Sequence, residues 1–444
     1  MKTLYERLAY DGSSDFLKIT RAYLIDDSND YVRDIRNHFN LVINGDPRYL
    51  NHGPVLALSV GGSNTKLMIA ETRDGFIHVR HIRGVKNPVK ETHFYDFLEE
   101  LLIKNKAVYA YLKETAKPVM SIVLPVMIGA DGIPQHPKKI PTVTGMLARS
   151  EADMVEDMNL DNNMGKYFRS RGIQMPLLYY QPDPVIAHLG GVSQIDLKPG
   201  ERTFLLVCGT GMATADDNTS RTLSRTPVMD HDEELYPADQ TEGYLYESGC
   251  SGLLLYGVMR RAIQIREREE GSLLKDTGAS DYFQSSDDSE LVCRIWETIF
   301  EPGLNHPKLN HIRAAVPPKA FFELQKIAEL LMQRLHGTLA NAILATAVKI
   351  NEREFPSRYH VIFEGSAALN RRSLPLIFQE MNNRLAHSEL FRELGVAIPD
   401  IDPYFRQRKK VFFDESIPQS EREKMEISLV GTAVAAITHS VLHE

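Results

Sequence analysis

The chain has 444 residues, 51 Lys+Arg against 59 Asp+Glu, and a formal net charge of −8. That length allows about two or three domains and a sizeable core, and the mild acidity excludes a protein that coats nucleic acid, which needs clustered positive charge. Its three cysteines, Cys208, Cys250 and Cys293, lack C-x-x-C spacing, which excludes a disulfide framework and a cysteine-rich zinc site and suits a reducing compartment.

In chain order, the opening MKTLYERLAYDGSSDF carries charge where the apolar part of an export signal would lie. Residues 1–50 are polar, with scattered apolar positions such as Leu17, Ile19, Tyr23 and Leu24, and read as one or two helices packed on a core elsewhere. Val55–Val60, Leu67–Ala70 and Phe76–Ile82 are short apolar runs. Arg73-Asp74-Gly75, between the last two, is a tight-turn signal because Gly accepts φ > 0. These runs predict an antiparallel meander. A helical stretch near Tyr95–Thr115 precedes two further strand-like runs, Val119–Met127 and Leu177–Tyr180. The order βββ-α-β-α-β predicts a mixed sheet flanked by helices.

The pattern then restarts. Thr203–Cys208 reads as a buried strand, Phe321, Leu324, Ile327, Leu331 and Leu335 recur at helical spacing, and Tyr359–Phe363 is a second buried strand. Arg266–Glu290 is charged and Ser/Asp-rich, and reads as a solvated insertion. Arg406–Lys410 reads as a solvated basic loop. The longest apolar stretch, near Leu335–Val348, falls short of the ~18–20 residues that span a bilayer. A soluble, cytoplasmic protein is expected. No solenoid-type repeat occurs.

Several turns carry candidate chemistry. Leu58–Val60 runs into Gly61-Gly62-Ser63-Asn64-Thr65-Lys66, where glycines let backbone N–H groups approach a phosphate and Ser63, Asn64 and Lys66 can donate to its oxygens. A plain hairpin turn is the alternative. Gly209-Thr210-Gly211 follows Leu205–Cys208 in the same way and is not a dinucleotide fingerprint, because Thr214 stands at the third Gly position. Gly365-Ser366 follows Val361–Phe363, and Gly431-Thr432-Ala433 opens the last helix. Each is weak alone, while their order is informative. Pro182-Asp183-Pro184 presents a carboxylate at a strand end, either for catalysis or as the cap of a helix starting at Pro184. His188 reads as a surface or packing residue, His78 and His81 as part of a polar strand face, and no histidine pair has metal-ligand spacing. No protein-held metal is expected.

This ordered set resembles the hexokinase family of sugar kinases, within the sugar-kinase/actin/chaperone ATPase superfamily. Leu58–Lys66 resembles that family's first phosphate loop, Asp183 its catalytic aspartate and Gly209–Gly211 its second phosphate loop. Glu247-Ser248-Gly249-Cys250-Ser251-Gly252 resembles the segment with a sugar-binding glutamate, and Thr241-Glu242 more faintly a second one. Thr142–Met146 is similar to a sugar-contacting segment that contributes Thr144, while Gly365-Ser366 and Gly431-Thr432 are similar to segments around adenosine. The likeness spans most of residues 55–440. The sequence also departs from the family. Ser59 stands at a usual Mg²⁺-assisting aspartate, Pro182 at an asparagine, Ala213 at a sugar-binding asparagine, Thr144 at a lysine and Val123 at a sugar-contacting serine.

The resemblance implies an α/β fold with two lobes, each a mixed five-stranded RNase H-like sheet flanked by helices, and a cleft between them that holds ATP. Residues 1–182 with 431–444 would form the small lobe and 183–430 the large lobe. It implies ATP- and Mg²⁺-dependent phosphorylation of a sugar or polyol hydroxyl, as in glycolysis, with Asp183 as general base and Thr144, Glu242 and Glu247 as further sugar contacts. A homodimer is admitted, with no nucleic-acid or membrane partner. A non-catalytic sugar or nucleotide sensor on the same fold is the alternative, motivated by Ser59.

Overall fold

The computed structural model describes residues 3–9, 30–61, 64–87, 92–123, 147–148, 160–181, 183–208, 212–216, 220–222, 234–235, 252–271, 273–274, 277, 279, 283, 289–351, 357–365, 372–387, 400–404 and 410–444. Its principal elements, in chain order, are α1 (Asp30–Ile43), β1 (His52–Val60), β2 (Asn64–Arg73), β3 (Phe76–Lys86), α2 (Lys106–Glu114) and β4 (Val119–Val123). Then follow α3 (Leu160–Ser170), β5 (Leu177–Gln181), α4 (Asp183–Val192), β6 (Glu201–Cys208), β7 (Met212–Ala215), β8 (Ser220–Thr222) and α5 (Gly252–Glu270). The rest are α6 (Ser289–Glu297), α7 (Pro318–Asn351), β9 (Arg358–Glu364), α8 (Ser373–His387), β10 (Asp400–Tyr404), β11 (Val411–Phe413) and α9 (Ile427–His443). None of the described helices is long and apolar enough to cross a membrane.

The chain divides into two compact units. One comprises residues 26–205, 215–220 and 404–444; the other comprises 1–25, 206–214 and 221–403. In the first unit β11 extends the sheet formed by β1–β5, α9 packs on that sheet, and α4 packs on α9.

That sheet has the order β11-β3-β2-β1-β4-β5. β1, β2 and β3 are antiparallel neighbours, as the meander predicts, and β1–β4 and β4–β5 are parallel. The β2–β3 turn is built on Asp74 and Gly75, with φ of 52° and 77°. Positive φ at both central residues is what a two-residue hairpin with the right-handed strand twist requires. One face of the sheet carries Leu56, Leu58, Val60, Leu67, Ile69, Met120, Ile122 and Tyr180, which join Phe94, Leu98, Leu102, Val108 and Phe168 in a core. The other face receives α9, whose residues Ile427–Thr438 are all buried. A helix apolar on every side belongs inside a layered fold rather than on its surface.

The details depart from expectation in four places. The sheet has six strands rather than five, because Val411–Phe413 adds to the free edge of β3 in parallel. The helical stretch near Tyr95–Thr115 is three pieces, with a π-helical turn at Glu99–Ile103 and a restart at α2, whose Val108 N–H is accepted by the Asn105 side chain at 3.4 Å. The N-terminal helices belong to different units, Leu4–Leu8 to one and α1 to the other. Within Arg266–Glu290, Leu273, Leu274, Ala279 and Phe283 are buried, so this segment is not a wholly solvated insertion. Glu267 Oε1 accepts from Leu273 N–H at 3.2 Å and Leu274 N–H at 2.6 Å and turns the chain back onto the unit.

The second sheet has the order β8-β7-β6-β9-β10, and the division between units falls inside β6. Third, second, first, fourth, fifth: the order is the same as β3-β2-β1-β4-β5 in the first sheet. In this unit the predicted stripe lies on α7, with Leu324, Ile327, Leu331 and Leu335 buried and Phe321 half-buried, and Tyr359 OH of β9 donates to Ala347 O of α7 at 3.1 Å.

Candidate functional site

β1 and β2 turn at Gly61–Asn64, where Gly61 N–H donates to Asn64 O at 2.9 Å. Asn87 braces this turn from the end of β3. Its amide donates to Gly61 O at 2.8 Å, and its Oδ1 accepts from Thr65 Oγ1 at 2.7 Å. Gly62 and Ser63 lie outside the described residues, as do Thr144, Gly209, Thr210, Gly211, Glu242, Glu247 and Ser366. Asn64 itself is exposed.

Strand register builds a row across the sheet. Lys66 pairs with Ser59, Ser59 with Val123 and Val123 with Gln181. Directly paired residues project from one face, so all four face the α9 side, opposite the apolar core. Ser59 and Lys66 are buried, at 7% and 9% exposure, and Gln181 is fully buried with neither amide atom hydrogen-bonded. The chain then leaves β5 and reaches Asp183, the first residue of α4. The carboxyl ends of parallel strands are where open α/β sheets gather ligand groups.

Asp183 is open to solvent on its own surface, yet enclosed by protein at longer range. That enclosure, with the negative charge of Glu426, raises its pKa from 3.8 to about 6. Glu426 directly precedes α9 and forms an ion pair with Lys66. Glu426 is therefore paired with Lys66 and adds its charge to the burial that acts on Asp183. His188, farther along α4, is fully buried, its Nε2 lies 2.7 Å from Thr203 Oγ1, and burial holds its pKa down to about 3. It is a packing residue. His78 stacks on Phe412 at 5.3 Å, and His81 is hydrogen-bonded to Asn105 at 3.2 Å, so the predicted polar strand face is partly covered.

Gly431 is placed differently from expectation. It is not at the start of the last helix but inside α9, and buried. A Cβ there would lie 1.8 Å from Ile186 O of α4, and a Cβ on Gly190 would lie 2.2 Å from Ile427 O of α9. Backbone-to-backbone helix contact accounts for these glycines. Gly365 ends β9 in the other unit with φ 94°, a turn conformation open to glycine. Lys410, the described end of the basic loop, is paired with Asp196. A cavity of about 640 Å³ in the other unit, lined among others by Phe321, Phe322 and Lys326, contains none of the candidate site residues singled out from sequence.

Among the described residues, the side chains beside Lys66 do not form a Mg²⁺ site of their own. Such sites use carboxylates with phosphate oxygens and water, whereas Ser59 is neutral and the Glu426 carboxylate is engaged by Lys66. Among the described residues no group of three or more metal-ligating side chains occurs.

Sequence reasoning missed Asn87, Gln181 and Glu426. Glu426 has a faint signal, an acidic residue just ahead of the apolar run Ile427–Ala436. Asn87 and Gln181 have none, because their significance arises from strand pairing.

No family model matches the chain, and no curated protein matches it in sequence. Solved structures match it in fold. A hexokinase from Schistosoma mansoni complexed with glucose is 13% identical, with 98% of each chain covered and a TM-score of 0.55. Another hexokinase is 12% identical over 98% of each chain, with a TM-score of 0.56. A ROK hexokinase from Thermus thermophilus is 14% identical over 88% of this chain and 100% of its own, with a TM-score of 0.48. The chain has a hexokinase-like sugar-kinase fold.

Proposed function

We propose that this protein is an ATP-dependent kinase that phosphorylates a hydroxyl of a sugar or polyol, with Asp183 as general base. The observation that carries the reading is Asp183 itself: accessible to solvent at the head of α4, and raised to about 6 by burial and the charge of Glu426, inside a hexokinase-like fold. A base is most effective when its pKa lies near the working pH. In this reading Asp183 accepts the proton of the attacking hydroxyl. Phosphoryl transfer otherwise needs positioning and charge neutralisation, which Lys66, the backbone of the Gly61–Asn64 turn and Gly209–Gly211 supply. Glu247, Thr144 and Glu242 hold other hydroxyls of the acceptor, and Gly365-Ser366 lies against adenosine. Any divalent cation arrives with the nucleotide phosphates, since the described side chains offer it no set of their own.

The test is ADP release from Mg·ATP, screened across hexoses, amino sugars, polyols and cyclitols. Acceptor-dependent turnover is expected, and Asp183→Ala should lower it about 10²–10⁴-fold while leaving ligand affinity within a small factor. A second reading, a non-catalytic sugar or nucleotide sensor, is favoured by Ser59, a neutral side chain paired directly across from Lys66. A sensor binds ligand without turnover, and Asp183→Ala changes little in it.

A further inference from the structure

The cavity of about 640 Å³ lies among the turn that follows α6, the helix Pro307–Ala315 and the start of α7, all in the unit of residues 1–25, 206–214 and 221–403. Pockets that take small organic ligands span ~300–1,000 Å³. On α7, Pro318, Phe322, Gln325 and Glu329 recur at the spacing of one helix face, with Phe321 and Lys326 beside them. Gln325 Nε2 donates to Thr298 Oγ1 at 2.9 Å and so ties this face to the turn after α6. Phe321, Ile299 and Val316 add apolar wall. Phe322 is 54% exposed, and Phe300, next to Ile299 in the chain, is 51% exposed. Exposed rings grouped at a concavity mark a binding surface.

The charged side chains of the lining are Arg313, Lys326 and Glu329, a net charge of +1. Arg313 Nη1 donates to Leu304 O at 2.8 Å and Nη2 to Pro302 O at 2.7 Å, and the guanidinium lies 5.4 Å from the centre of the Phe321 ring. Neutral carbonyls fix this group without cancelling its charge, and among the described residues no carboxylate pairs with it. Three of the five N–H groups of a guanidinium thus remain for a ligand. Lys326 is 4.8 Å from the centre of the Phe322 ring and 3.5 Å from the Glu323 carboxylate, so its charge already has a counter-ion. Glu329 has no hydrogen bond or ion pair among the described residues.

We propose that this cavity binds a small monocarboxylic acid with an aromatic body, its carboxylate held by Arg313 and its ring against Phe321 and Phe322. A guanidinium offers a planar fork that matches a carboxylate, and ring-on-ring contact adds to the apolar burial. Glu329 supplies the selectivity. Its uncompensated negative charge opposes a second negative charge on the ligand, which disfavours dicarboxylates and phosphate esters. The site goes beyond the kinase reading and does not depend on it.

The experiment titrates the full-length protein near neutral pH with 3-phenylpropionate, its neutral counterpart 3-phenylpropanamide and the dianion benzylmalonate, followed by ligand-observed NMR. The acid should bind with a Kd of about 1 mM or tighter, and the amide and the dianion about tenfold more weakly. Arg313→Gln should weaken the acid about tenfold and leave the amide unchanged. Phe322→Ser, at an exposed position, should weaken acid and amide alike. Glu329→Gln should strengthen benzylmalonate about threefold. Glu329 bonds to no described residue, so this variant keeps the fold even if Arg313→Gln does not.

Failure of the acid to bind at that level overturns the proposal, as does equal affinity of the parent for acid and amide. Loss of both ligands in folded Arg313→Gln would show that this side chain shapes the cavity rather than reads charge, and overturns it as well. Arg313→Gln and Phe322→Ser without effect would place the ligand elsewhere. An unchanged affinity for benzylmalonate in Glu329→Gln would remove the selection by charge, and the proposal with it. Turnover is no part of the readout, so this site and the kinase reading can each fail without the other.

Discussion

At the scale of single residues, Asp183 shows how a site and stability pull in opposite directions. Its folded pKa, about 6, lies above the ordinary 3.8, so between those values the folded protein binds more protons than the unfolded chain. Stability therefore falls as pH rises through that window. Below 3.8 the carboxyl is protonated in both states, and the penalty vanishes. A tenfold change in proton affinity corresponds to about 1.4 kcal/mol, and because water reaches this carboxyl the screened penalty is about 1 kcal/mol. Asp183→Asn should thus be more stable than the parent at pH 7–8 by roughly that amount, with no gain at about pH 3.5. Thermal melts at both pH values check this, and equal gains at both would show that ionisation is not the cause. In the sequence Asp183 stands out because prolines on both sides mark a rigid strand end. Its environment was not legible there, because the burial around it and the charge of Glu426, remote in the chain, come from the fold.

At the scale of elements, α4, which begins with Asp183, and α9, which Glu426 precedes, form a close joint. Both carry glycine where the other helix comes closest, so their backbones touch rather than their side chains. In the sequence Gly431-Thr432 looks like a turn opening a helix, and local pattern cannot tell a helix start from a small residue that lets a second helix approach. Partner distance decides it. Gly431→Ala forces a methyl group onto Ile186 O, where a Cβ would lie at 1.8 Å. Overpacking of this kind costs about 1–3 kcal/mol or more. On the kinase reading, turnover should drop about tenfold or more as well, because the displaced helix carries Asp183. Denaturant melts together with the sugar screen test this prediction, and Gly431→Ala with parental stability would contradict the close contact. Strands were far more legible than this joint. β1, β2 and β3 follow from short apolar runs and an Asp-Gly turn whose backbone angles are dictated locally.

At the scale of the whole molecule, two sheets share one strand order, third, second, first, fourth, fifth, with Val411–Phe413 appended to the first. Burial across both units also holds several histidines neutral. His38, His188 and His439 are pushed down to about 3, and His336 to about 4, all chiefly by desolvation. His38 further has its Nδ1 2.9 Å from Tyr179 OH and feels His439 and His443. These groups take up protons only on unfolding once the pH drops below their ordinary 6.5, so stability is lost as pH falls from there towards 3. Each contributes a slope of up to about 1.4 kcal/mol per pH unit, opposite in sign to that of Asp183. Denaturant midpoints measured from about pH 7 to pH 4 should fall steadily, and His38→Gln should flatten the curve if it folds. His188→Gln is the second variant, and a flat parent curve would contradict the buried neutral state of all of them.

The sequence by itself determined whatever is written within a few residues: the strand runs, the Asp74-Gly75 turn, the buried stripe of α7, and the order of short motifs that led to a two-lobed α/β fold. Those features are set by side-chain periodicity and local backbone angles, which act over one strand or one helical turn. Only the tertiary structure decided which polar groups share a site. Strand register placed Ser59, Lys66, Val123 and Gln181 in one row, helix contact gave Gly431 its role, and the return of the C-terminal segment brought Glu426 to Lys66. Ion pairs and burial act through space, so their partners are fixed by the packing of distant segments and leave little trace in either segment alone.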